Sequence, residues 1–178
     1  GVGFKLVQAY IKQFQLSTEI NDSLLDLVAV SIAADIVPIT GENRILAYSG
    51  LKRLNTTPRM GFDQMIPTNI KGNVTISNVV FSIAPKINAA GRIKHGSEAV
   101  RFMLSKNVED CKKYLADINT LNNERKKLDL EITEQALEQL KGIDQSKTFS
   151  TIVYHPEWNK GVIGIVASRL VDMYYKPT

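Results

Sequence analysis

The chain has 178 residues, 44% of them hydrophobic and 22% charged, which suits one soluble globular domain or two small ones with a core of ordinary size. Its formal charge of +4 is compatible with a nucleic-acid partner, and equally with an ordinary basic surface. The only cysteine, Cys111, excludes an internal disulfide and fits a reducing compartment, and no apolar run reaches membrane length.

Residues 1–14 read as an amphipathic helix. Residues 24–34 are apolar apart from Asp26 and Ser31, which predicts a buried helix ending at Asp35 with Pro38 just beyond. Residues 42–54, with Ile45, Leu46, Leu51 and Leu54, suit another amphipathic helix, followed by a turn over 56–61. Residues 77–84 form a buried element broken by Pro85, and 97–104 make a short helix for which Ser97 is a candidate N-cap. From Val108 to Leu140 apolar residues recur at three-, four- and seven-residue spacing among Glu, Lys and Arg, with no Gly or Pro before Gly142. Such a helix would be about 50 Å long at 1.5 Å per residue. Its polarity favours a connector between two lobes over a helix buried in one core. A strand over 148–154 and a helix over 161–175 complete the reading, and both ends suggest a piece of a longer protein.

Two small-residue segments carry the chemistry. Residues 85–92 read Pro-Lys-Ile-Asn-Ala-Ala-Gly-Arg, and 161–169 read Gly-Val-Ile-Gly-Ile-Val-Ala-Ser-Arg. Gly and Ala allow a phosphate or another backbone to come close, and arginine supplies a fixed fork of donors for an anion. Asn88, Arg92 and His95 fall within what reads as one short loop, either an anion site or a tight Ala-Ala-Gly turn with solvated flanks. Gly161 opens a helix whose free amides suit an anion. Gly161, Gly164 and Ser168 share one face, which close packing explains equally well. Tyr154 and Trp158 precede that helix and suit base stacking or a core or lid role. Asp35, at the end of a buried helix, reads either as a hard-cation ligand or as a helix terminator. One carboxylate makes no metal site, and the chain has only His95 and His155 to add.

Taken together, Leu24-Leu-Asp-Leu-Val-Ala through Ala34-Asp35-Ile-Val-Pro38, Gly41-Glu-Asn-Arg44, the segment from Pro85 to Arg92, Leu121-Asn-Asn-Glu-Arg125 and the segment from Gly161 to Leu170 resemble the bacterial RecJ single-stranded-DNA exonucleases of the DHH phosphoesterase superfamily. The order and spacing agree from end to end. The resemblance implies an α/β fold in three parts. Residues 1–106 would be the mostly helical C-terminal part of a DHH domain, 107–141 a long connecting helix, and 142–178 the start of an α/β DHH-associated (DHHA1) domain. It implies a 5′-to-3′ exonuclease of DNA repair and recombination in the bacterial cytoplasm, using Mn2+ or Mg2+. Single-stranded DNA would be its substrate, and a single-strand-binding protein and a helicase its partners. By the same resemblance Asp35 is a metal ligand, and Asn88, Arg92, His95, Gly161, Ser168 and Arg169 lie along the DNA path. The Asp-x-Asp and Asp-His-His motifs of the superfamily do not occur in these residues, and Asn159 stands where many relatives carry histidine, so no complete catalytic set is expected here. The rival readings are a DHH phosphodiesterase for short oligonucleotides or cyclic dinucleotides, and a non-catalytic DHH-type DNA-binding scaffold.

Overall fold

The computed structural model describes residues 1–178 as helices joined by turns, with no β-strand. In order come α1 (Val2–Phe14), α2 (Glu19–Ala34), α3 (Gly41–Thr56), α4 (Met60–Met65), the short α5 (Ile76–Asn78), α6 (Ala84–Ile93), α7 (Ser97–Met103), α8 (Val108–Leu140) and α9 (Ile163–Tyr174). The helix expected over Val108–Leu140 forms with those limits. Asn107 caps its start by accepting the Asp110 N–H at 2.8 Å, and Gly142 leaves its end in the left-handed region with φ +78°. A 3-10 turn, Thr68–Ile70, joins α4 to the stretch before α5.

Two expectations fail, each for a physical reason. Pro85 does not break the chain. A proline inside a helix lacks an N–H and meets the carbonyl four residues back. Here the preceding turn, Val79–Ile83, widens to π-helical, and Pro85 falls in the first turn of α6, where no donor is needed. Asn88 and Arg92 therefore lie on a helix, and not in the loop expected for them. The α/β character is also absent. Residues 148–154 are irregular, because nothing else in the chain pairs with them as a strand would. Their backbone is held instead by one bond, Thr151 N–H to the Pro177 carbonyl, and by the Gln139 amide, which bonds both the N–H and the C=O of Tyr154.

Two cores share α8. The larger gathers Ala29, Val30, Leu54, Phe62, Val79, Ile83 and Phe102 around Cys111 and Ile118 of the first half of α8. The smaller joins Ile132, Ala136 and Leu140 of its second half to Val162, Val166 and Leu170 of the α9 region. Helices α2 and α3 pack closely because residue 50 is glycine: a Cβ there would lie 2.2 Å from the Leu25 carbonyl oxygen. Asp26, the exception in the apolar run, is fully buried. Its carboxylate accepts Arg59 Nη2 at 2.7 Å, Arg59 Nε at 3.0 Å, the Arg59 N–H at 3.1 Å and the Leu27 N–H at 2.8 Å. This ties α2 to the start of α4. Asp26→Ala would leave Arg59 in a site built for a charge pair, and should cost about 3–5 kcal/mol in chemical denaturation. A cost below about 1 kcal/mol would show the pair to be solvated.

Candidate nucleic-acid interface

The two small-residue segments meet. A Cβ on Gly161 would lie 2.1 Å from the Arg92 carbonyl oxygen, so only glycine allows the backbones to approach this closely. In the other direction, Arg92 Nη1 donates to the Gly161 carbonyl at 2.9 Å. Asn159 builds the turn that presents this glycine. Its Oδ1 accepts the Gly161 N–H at 2.8 Å, and its carbonyl accepts the amides of Val162 and Ile163. The Gly161 amide, expected to be open to an anion, is thus already engaged.

Arg92 remains exposed with its other guanidinium N–H groups unbonded, and exposed Asn88 sits one turn earlier on α6. On α9, Gly164 and Ser168 are exposed, and a Cβ on Gly164 would meet nothing within 4 Å. Ser168 Oγ donates back to the Gly164 carbonyl at 3.1 Å. Two further cations lie where α6 packs on α8. Desolvation, and then the ammonium of Lys126, hold the Lys86 amine below the ordinary lysine range. Neither lysine has a carboxylate partner.

His95 and Arg169 are placed differently from the expectation. His95 lies past the end of α6, where Nδ1 accepts the Ser97 N–H at 3.2 Å, and the cap position of α7 is Gly96 rather than Ser97. His95 lines a groove of about 450 Å3 with Lys94, Glu98, Asp117, Thr120 and Glu124; Glu98 is paired with Arg101, which leaves Asp117 and Glu124 against one ammonium, a setting that does not favour phosphate. Arg169 Nη2 binds Asp129 Oδ2 of α8 at 2.8 Å, and Arg125 Nη1 stands 3.7 Å from the same oxygen. Asp129 is the residue sequence reasoning missed. Its signal is a charge on the buried stripe of α8, four residues after Arg125 and three before Ile132.

Asp35 caps α2 and is exposed, with no bonded partner for its carboxylate. The next residue, Ile36, takes the left-handed conformation (φ +49°). The Ile36 N–H bonds the Ala33 carbonyl and the Val37 N–H bonds the Ile32 carbonyl, the helix-ending pattern that normally has glycine in this place. A β-branched residue there is strained. No three His, Cys, Asp or Glu side chains come together as a metal centre would need. Trp158 donates Nε1–H to Gln135 Oε1 at 2.6 Å and faces a mainly apolar cavity of about 560 Å3 lined by Ile132, Ile163, Val166 and Ala167, with Gly164 and exposed Tyr154 on its rim, so Trp158 itself suits a core or lid role. No helix is long and apolar enough to cross a membrane.

No family model matches the chain. It is 40% identical over 182 aligned residues to the single-stranded-DNA-specific exonuclease RecJ of Bacillus subtilis, covering 99% of the chain and 22% of that protein. RecJ of Haemophilus influenzae is 33% identical over 99% of the chain and 33% of its own length. Among solved structures, RecJ of Thermus thermophilus in complex with Mg2+ superposes with a TM-score of 0.85 at 29% identity, covering 99% of this chain and 27% of that one. An exonuclease RecJ bound to manganese gives 0.84 at 29% identity, with 99% and 44% covered. The chain spans a third or less of the curated relatives it matches, and over that span it is a segment of the RecJ family.

Proposed function

We propose that this chain is the DNA-guiding part of a metal-dependent exonuclease that degrades single-stranded DNA from the 5′ end. The observation that carries the reading is the match along 99% of the chain to proteins described as single-stranded-DNA-specific exonucleases. The geometry agrees with it. Arg92 and Asn88 on α6 and the open Gly164–Ser168 face of α9 border one contact between two segments, and Lys86 and Lys126 are two unpaired cations where α6 packs on α8. Backbone-directed cations with small neighbours suit a sequence-independent strand. On this reading residues 1–106 belong to the DHH lobe, 107–141 to the connecting helix and 142–178 to the DHH-associated lobe.

Asp35 would be one ligand of a divalent ion, which when bound supplies an activated water and charge neutralisation at phosphorus. What this chain itself contributes is an unpaired carboxylate, held at the end of α2 by a strained turn. The chain alone should therefore not digest labelled single-stranded DNA with Mn2+ present. In the full-length protein, Asp35→Ala should lower cleavage by more than about 100-fold while DNA binding persists. Near-normal turnover would remove Asp35 from the metal site, and 5′-directed digestion by the isolated chain would overturn the division of labour proposed.

Arg92→Ala should weaken binding of single-stranded DNA of any sequence and lower the salt slope of affinity by about one counterion, as for loss of a single phosphate contact. Titrations at several salt concentrations read this directly. An unchanged slope with the fold intact would reduce Arg92 to a fastening of α6 to Gly161.

A further inference from the structure

We infer that Arg169 is a positioning residue rather than a phosphate ligand, and that its pairing with Asp129 sets the rotation of α9 so that Gly164 and Ser168 face the strand. This rests on the exonuclease reading above. Asp129 is buried, its side chain only 7% exposed, and Oδ2 receives Arg169 Nη2 at 2.8 Å. Its other oxygen, Oδ1, is buried without a partner, and Arg125 stands 3.7 Å from Oδ2. An arginine that left for a phosphate would leave this buried carboxylate only the more distant Arg125, and the phosphate would come to rest beside a negative charge.

The helical period separates the two neighbours that the sequence groups together. Consecutive residues of a helix point about 100° apart, since 3.6 residues make a turn. Ser168 shares the exposed face with Gly164, whereas Arg169 lies partly buried against α8 beside fully buried Leu170. Helix α9 is thus fastened twice. Arg92 and Gly161 hold its approach, and Asp129 and Arg169 hold it about two turns further on. One fastening would leave the helix free to pivot; two fix which side it shows. The intervening core contacts, Val162, Val166 and Leu170 against Ile132 and Ala136, are apolar and do not specify rotation as sharply as a directional ion pair does.

Asp129 makes the test decisive, because a carboxylate cannot itself bind phosphate. In the full-length protein, Asp129→Asn and Arg169→Ala should each lower kcat on single-stranded DNA about tenfold or more, with KM within about threefold and an unchanged salt slope. The double variant should fall no more than about twofold below the worse single, and Asp129→Glu should restore most of the rate. Arg169→Lys, a milder change, should lie between wild type and Arg169→Ala. The proposal is overturned if Arg169→Ala lowers the salt slope by about one counterion while Asp129→Asn binds DNA as tightly as wild type or tighter. Should the unaltered protein fail to degrade single-stranded DNA at all, the exonuclease reading falls. The fastening is then judged by thermal unfolding alone, where strictly additive shifts for Asp129→Asn and Arg169→Ala would overturn it.

Discussion

Everything placed at the candidate interface depends on two backbones coming within contact at Arg92 and Gly161. The Arg92 carbonyl occupies the space where any side chain at position 161 would stand, and its guanidinium closes on the Gly161 carbonyl. The contact spans 69 residues and joins the end of α6, which packs on the middle of α8 near Leu121 and Lys126, to the turn that begins α9, which packs on the second half. Asn159 keeps that turn in shape by taking three amides, from Gly161, Val162 and Ile163. A glycine here is therefore a requirement of packing, and the arginine serves two ends: one nitrogen fastens, and the others remain open to solvent or a ligand.

Around this contact the long helix acts as a common floor. Its first half completes the larger core with Cys111 and Ile118, and its second half the smaller one with Ile132, Ala136 and Leu140. Between the two lie Asn122, Arg125 and Asp129, polar residues on a face that is otherwise buried. Polar groups in such a position are costly unless paired, so their pairing with one another and with Arg169 gives this section directional contacts where the flanking sections have only apolar ones. At the other end of the molecule, the fully bonded Asp26 does the same for α2 and α4.

Much of this was legible in the sequence because the signals were local. The limits of α8 follow from an uninterrupted period and a Gly stop, and the end of α2 at Asp35 follows from its apolar run and Pro38. What misled were residues whose meaning depends on neighbours. Pro85 reads as a breaker unless the turn before it can widen to a π-turn. Residues 148–154 read as a strand, yet strand identity requires a partner that these residues do not meet. Met60–Met65 begins within the turn expected over 56–61, whose Thr, Pro and Gly give no sign of the short helix that follows. Small residues ending in arginine marked two segments that meet in the fold, but no spacing rule could show that Gly161 faces Arg92 while Arg169 turns to Asp129. Those facts belong to the packing of distant segments.

The central claim is that residue 161 is glycine because a backbone passes there, and the neighbouring glycine provides the control. Position 164 has open space, so Gly164→Ala should leave the thermal unfolding midpoint of the protein unchanged or slightly raised. Gly161→Ala must push the Arg92 carbonyl away and should cost about 1–3 kcal/mol, with a lower midpoint and weaker binding of single-stranded DNA. Equal midpoints for the two variants would contradict the account.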